Sequence, residues 1–183
     1  LPGFGCRETL DLMLVLDRSG SISSSELTTL KDAAKAFVDA LGPSGDGAHM
    51  GQTSFSTSGT LDLHLSGDAG TIKAAIDALV GGGSTNLMEG ISLASGELAN
   101  PGDGDDRPDG DSPDFMVIIT DGSPNEPGTA AEARAAATAA ADAAKAAGIE
   151  IFVVGVGTTA GTADYLEMNI ASGADHYFDA SDF

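Results

Sequence analysis

Asp17, Ser19 and Ser21 stand at alternate positions in "DRSGS", residues 17–21, directly after a run in which six of seven residues are apolar. Two other short stretches share this oxygen-rich character: "GGGSTNL", 81–87, offers Thr85, and "TDGSPN", 120–125, offers Asp121. The set is two carboxylates and three hydroxyls, without Cys or His. Such hard oxygen donors suit Mg²⁺, Ca²⁺ or Mn²⁺ rather than zinc. Two carboxylates balance one divalent ion and the hydroxyls add no charge. A cation held this way stays electrophilic and has room for one more anionic oxygen, which a partner would supply.

The elements around these loops alternate in type. Residues 10–16 read as a buried strand that delivers Asp17, and 115–120, "FMVIIT", as a second one that delivers Asp121. Residues 24–41 carry Leu27, Leu30, Ala34, Phe37, Val38 and Leu41 at helical spacing. Ser23, Ser24 or Ser25 is expected to cap this helix, and Gly42-Pro43 to end it. Residues 48–56 and 60–65 read as short alternating strands joined at Ser58-Gly59, hence a hairpin. Helices are expected over 69–79, 86–99, 129–147 and 162–171, and further strands over 149–156 and 176–179. Strands separated by helices predict a doubly wound α/β fold: a mostly parallel central sheet, one antiparallel edge strand, and helices on both faces. Ligands of such sheets bind beyond the carboxyl ends of the strands, where Asp17 and Asp121 both fall.

Composition narrows the partners. The 183 residues suit one domain, 1–183, with a sizeable core. With 28 acidic and 8 basic residues the net charge is −20, which excludes nucleic acid and anionic membrane surfaces and favours cations. No apolar run approaches the ~20 residues of a membrane helix. Cys6 is the single cysteine, so no internal disulfide forms; it pairs outside the chain or stays a free thiol. The chain starts at Leu1 without a leader pattern, which reads as part of something longer.

The three loops resemble a known family. "DRSGSIS" is similar to the Asp-x-Ser-x-Ser signature of von Willebrand factor type A domains, the group that includes integrin inserted domains. "GGSTNL" resembles its threonine loop and "IITDGSPN" its strand-Asp-Gly loop, while "IFVVGVG" and "ASGADHYFDASDF" resemble its late strands. The likeness covers nearly the whole chain. It implies that Asp17, Ser19, Ser21, Thr85 and Asp121 form a metal-ion-dependent adhesion site. There a divalent cation, Mg²⁺ first and Ca²⁺ or Mn²⁺ as alternatives, bridges to a Glu or Asp of a protein ligand. It further implies a non-enzymatic adhesion module, extracellular or on the cell surface. The family usually closes with a helix after the last strand, and this chain stops at Phe183, where that helix would begin. Two rivals use the same loops: a metal-dependent hydrolase or phosphotransferase, for which no general base or nucleophile is evident nearby, and an intracellular assembly subunit of a chelatase-like machine.

Other features read more plainly. A helix N-cap turn alone would explain the Asp-Ser-Ser run, but not the matching donors in two further loops. The acidic stretch 103–114 reads as a solvated loop, with a weak calcium site as the lesser alternative, since it lacks the full spacing and the terminal bidentate Glu. "GVGTTAG", 155–161, has the wrong spacing and position for a dinucleotide fingerprint. His49, His64 and His176 read as strand residues with ordinary partners, and Glu89 as a solvent-facing helix residue.

Overall fold

Strand β1 (Leu10–Asp17) is buried along all eight residues and runs through the middle of a six-stranded sheet. The computed structural model describes residues 9–100, 106–108 and 111–180. Helix α1 (Ser24–Leu41) follows β1, then β2 (Ala48–Phe55), β3 (Gly59–Ser66), α2 (Ala69–Asp77), α3 (Leu87–Leu98), β4 (Asp114–Thr120), α4 (Ala130–Ala146), β5 (Glu150–Gly155), α5 (Ala160–Tyr165) and β6 (Tyr177–Asp179). The strand order is β3-β2-β1-β4-β5-β6. Every neighbouring pair is parallel except β2 with β3. This is the expected doubly wound sheet with one antiparallel edge.

The order of strands places the site. The chain leaves β1 for β2 on one side, and leaves β4 for β5 on the other. The crevice where these directions diverge lies beyond the carboxyl ends of β1 and β4. Two apolar clusters flank the sheet. One joins Met13, Val15 and Ile118 to α3, α4 and the segment after α5; the other joins Leu12, Leu14 and Leu16 to α1 and α2. Alternate residues of β1 thus supply opposite faces, and covering on both sides explains its unbroken apolar run. Helix α3 lies close on the sheet because of Gly90. A Cβ there would sit 2.8 Å from a Phe55 ring carbon and 3.1 Å from Val15.

Several details differ from the sequence reading. Strand β2 is buried throughout rather than alternating, because it is an interior strand covered on both faces. Two of its polar residues bond to the covering helices: Thr53 Oγ1 donates to the Gly90 carbonyl at 3.2 Å, and Gln52 Nε2 to the Ala75 carbonyl at 3.3 Å, while the buried Gln52 Oε1 has no partner among the described residues. Of the three serines expected to cap α1, Ser23 does so and forms a capping box with Glu26. The helix expected over 162–171 is α5 followed by one π-helical turn, Leu166–Ile170. His49 and His64 lie in β2 and β3, but His176 ends a 3₁₀ turn ahead of β6, between Glu150 at 2.5 Å and Asp175 at 2.7 Å. Glu89 is not solvent-facing. Its carboxylate is half-buried and accepts the Gly59 N–H at 2.6 Å, which ties α3 to the start of β3. Cys6 and part of the acidic stretch 103–114 lie outside the described residues.

Candidate functional site

Asp17 closes β1 and is fully buried. Its Oδ1 accepts the Ser19 N–H at 2.8 Å, a local turn that the Asp-x-Ser spacing makes possible. Its Oδ2 accepts the Thr120 hydroxyl at 2.6 Å, from the end of the adjacent strand β4. Ser21 Oγ donates to Asp121 Oδ1 at 2.9 Å. That uses its only proton, so the 2.9 Å contact between Ser19 and Ser21 has Ser19 as donor. Asp17, Ser19, Ser21 and Asp121 therefore share one hydrogen-bonded run across the crevice.

Thr85 reaches this edge by a different route. Its N–H donates to Asn125 Oδ1 at 2.8 Å, and its carbonyl accepts the N–H groups of Asn125 and Glu126 at 3.0 and 3.2 Å. The second loop is thereby gripped by the third. It is also joined to the first: Gly82 N–H donates to the Arg18 carbonyl and Gly20 N–H to the Gly83 carbonyl, both at 2.8 Å. Gly83 has φ +91°, and a Cβ there would sit 2.6 Å from Thr57 Oγ1, so this packing requires glycine. Thr85 is buried, and no hydrogen bond joins its hydroxyl to the other four side chains.

The electrostatics of the pair are unusual. Burial pushes the Asp17 carboxyl up to about 6, against the opposing hydrogen bonds from Thr120 and Ser19 and with a small push from Asp121. Burial also raises Asp121, opposed by the Ser21 hydroxyl, with Glu26 nearby adding to the rise. Among the described residues no salt bridge reaches either carboxylate. A buried charge without a cationic partner is costly, and a divalent ion between the two would remove that cost. The donor set fits one. Sequence reasoning missed Thr120 and Asn125. Both sit inside the quoted third loop, yet only the folded chain reveals that each reaches across to another loop.

A second acidic group lies at the opposite end of the sheet. Asp11, Asp106 and Asp114 each bring a carboxylate oxygen within 4.8 Å of the others. Here Arg107 is set on Asp11, at 2.7 Å from Nη2, and also donates to the Leu10 and Gly47 carbonyls.

Comparison with known proteins bears on the fold and the family. A "UPF0353 protein" of Mycolicibacterium paratuberculosis is 34% identical over 159 residues, which cover 84% of this chain and 46% of that protein. The chain thus spans about half the length of this relative. The vWF domain of the type V pili tip protein Mfa5 from Porphyromonas gingivalis superposes with a TM-score of 0.80 at 14% identity, covering 96% of this chain and 90% of that one. Proximal thread matrix protein 1 of the mussel byssus, solved with a zinc-occupied MIDAS motif, gives 0.77 at 21% identity, covering 96% of this chain and 44% of that one. The family model of the von Willebrand factor type A domain matches residues 11–183. With fold, loops and this match in agreement, the chain belongs to the von Willebrand factor type A domain family.

Proposed function

We propose that this domain is a metal-dependent protein-binding module of the adhesive kind, working at the cell surface or outside the cell. Asp17, Ser19, Ser21, Thr85 and Asp121 hold one divalent cation, Mg²⁺ in the first place. The bound ion supplies a Lewis-acidic position that accepts a carboxylate from a partner protein. The chain's own groups do the rest. Asp17 and Asp121 balance the ion's charge, the hydroxyls fill neutral positions, and the bonds from Thr120 and Asn125 hold the loops in register. The observation that carries the reading is Asp17, a fully buried carboxylate that the described chain meets only with neutral donors. The zinc held by the mussel protein's motif makes ion identity a matter for measurement.

Calorimetry with Mg²⁺, Ca²⁺, Mn²⁺ and Zn²⁺ tests this. The wild type should bind one ion, and Asp17→Ala or Asp121→Ala should abolish binding while leaving the fold intact. Unchanged affinity in both variants overturns the assignment. Because the domain carries −20, an acidic partner is repelled at long range, and association should speed up as monovalent salt rises. A rate that falls with salt points to a basic partner surface instead. Turnover of phosphate or ester substrates that needs both Mg²⁺ and Asp17 would favour the hydrolase.

A further inference from the structure

On a chain this acidic, basic side chains are expected to find carboxylates, and most do. Lys35, Lys73, Lys145 and Arg107 each sit on one, and Lys31 donates to two carbonyls at the end of α2. Arg18 and Arg134 do not. Arg18 Nε donates to Ser54 Oγ at 3.0 Å and its Nη2 to Thr60 Oγ1 at 3.3 Å. Arg134 Nη2 donates to Ser123 Oγ at 2.6 Å, and its guanidinium lies over the Tyr165 ring at 4.7 Å from the centroid. Neither meets a carboxylate within ion-pair distance among the described residues.

Both belong to the edge that carries the candidate site. Arg18 follows Asp17 and leans over the end of β2 and the start of β3. Arg134 holds Ser123, two residues past Asp121. They therefore bracket the run from Asp17 to Asp121. Each is half-buried and fixed by neutral hydroxyls, so its orientation is set while no described carboxylate pairs with its charge. Of the five N–H donors of a guanidinium, Arg18 commits two and Arg134 one.

We propose that Arg18 and Arg134 are the flanks of a binding surface for an acidic peptide segment, centred on the cation position; this rests on the function proposed above. Arg18 is anchored at the ends of β2 and β3 and Arg134 in the loop after β4, two to three strands away in the sheet order; at ~4.8 Å per strand that is ~10–15 Å, which an extended peptide covers in ~3–5 residues. The partner then carries carboxylates at alternate positions, all on one face: a central one for the ion and one on either side for each arginine. This also fits the chain's charge. The repulsion of a −20 domain is screened over ~10 Å at 0.1 M salt, whereas the arginines act at contact.

The test uses two labelled heptapeptides with saturating Mg²⁺, read by fluorescence anisotropy. One alternates Gly with three Glu; the other keeps only the central Glu and has Gln at the outer two. Wild type should bind the three-acid peptide about tenfold tighter, the scale of an added charge-assisted pair. The ratio should fall to near one in the double variant Arg18→Gln, Arg134→Gln. Arg134→Lys in place of Gln should restore part of it, which separates charge from a packing loss against Tyr165. A ratio that persists in the double variant, or a wild type without preference for three acids, overturns the proposal. Cation titration without peptide keeps the two readings apart. No cation binding by wild type sinks the site itself, whereas intact cation binding with a flat peptide ratio sinks only the flanks.

Discussion

Strand β1 carries an aspartate near each end, Asp11 and Asp17, and both are fully buried. Their surroundings differ. Asp11 receives the Arg107 guanidinium through Nε and Nη2, together with the Arg107 backbone N–H at 3.1 Å. The chain supplies its own counter-charge there, and the pair seals the amino end of the sheet by pinning a later segment across it. Asp17 receives a hydroxyl and a backbone N–H, both neutral. Its charge is left for something from outside. Equal burial of the same residue type on one strand thus yields a latch at one end and a candidate site at the other, and the difference lies in whether a cation is built in.

Removing the built-in cation should have the largest effect. Arg107→Ala takes the guanidinium away from buried Asp11, leaving His49 Nδ1 at 3.7 Å as its nearest basic group, and should lower unfolding stability by ~3–5 kcal/mol in denaturant titrations. A loss under about 1 kcal/mol would break the contrast between the two ends. At the other end the sign reverses. Asp17→Asn removes a charge that nothing among the described residues compensates, so the cation-free protein should gain up to about 3 kcal/mol at neutral pH, from a rise of roughly two pKa units. The same change should abolish cation binding. A cation-free Asp17→Asn protein less stable than wild type would show that the charge is satisfied after all.

pH sharpens the comparison further. A carboxyl whose folded value lies above its unfolded one binds its proton more tightly when folded. The Asp17 contribution to cation-free stability is therefore fully present below about 4 and is lost as pH rises through about 6. Cation affinity should run the other way, climbing over the same window as the proton leaves. Thermal unfolding of the cation-free protein at pH 5 and pH 7, with Asp17→Asn as the reference that subtracts the other acids, reads the first, and cation titration of the wild type at the same two values reads the second. Equal cation affinity at the two values would contradict the raised carboxyl. A smaller change is expected from Thr120→Val, which deletes the 2.6 Å bond to Asp17. It should cost ~1–3 kcal/mol in stability and move the cation-binding midpoint to higher pH, since that bond favours the ionised form. The smallest effect on stability should come from exposed Ser21→Ala, within ~0.5 kcal/mol. Weaker cation binding with unchanged melting would then separate a ligand from a structural hydroxyl.

What could be read from the chain alone follows from range. The apolar run of β1 and the donors after it lie within twelve residues, and the family signature compresses three of the five candidate ligands into "DRSGS". The helical faces of α1 and α2 were legible for the same reason: Ile72 and Ile76 are buried four residues apart. The supporting bonds were not. Thr120 reaches Asp17 across 103 positions and Arg107 reaches Asp11 across 96. Glu89 looked solvent-facing because helical spacing says nothing about a hairpin turn arriving beside it. The burial of β2 was hidden by its Gln, Thr and Ser residues; Thr53 and the Gln52 amide nitrogen find partners only once α3 and α2 are in place, and Ser54 only when Arg18 crosses over it.

By itself the sequence determined the alternation of strands and helices, the placing of oxygen donors at strand ends, and the family, because periodicity and short motifs depend on neighbours a few residues apart. Tertiary structure decided that β4 lies beside β1, which lets Ser21 meet Asp121 from 100 residues away. It also decided which of two buried aspartates the chain neutralises. Both outcomes rest on burial and on hydrogen bonds between distant segments, and those exist only once the sheet has closed around them.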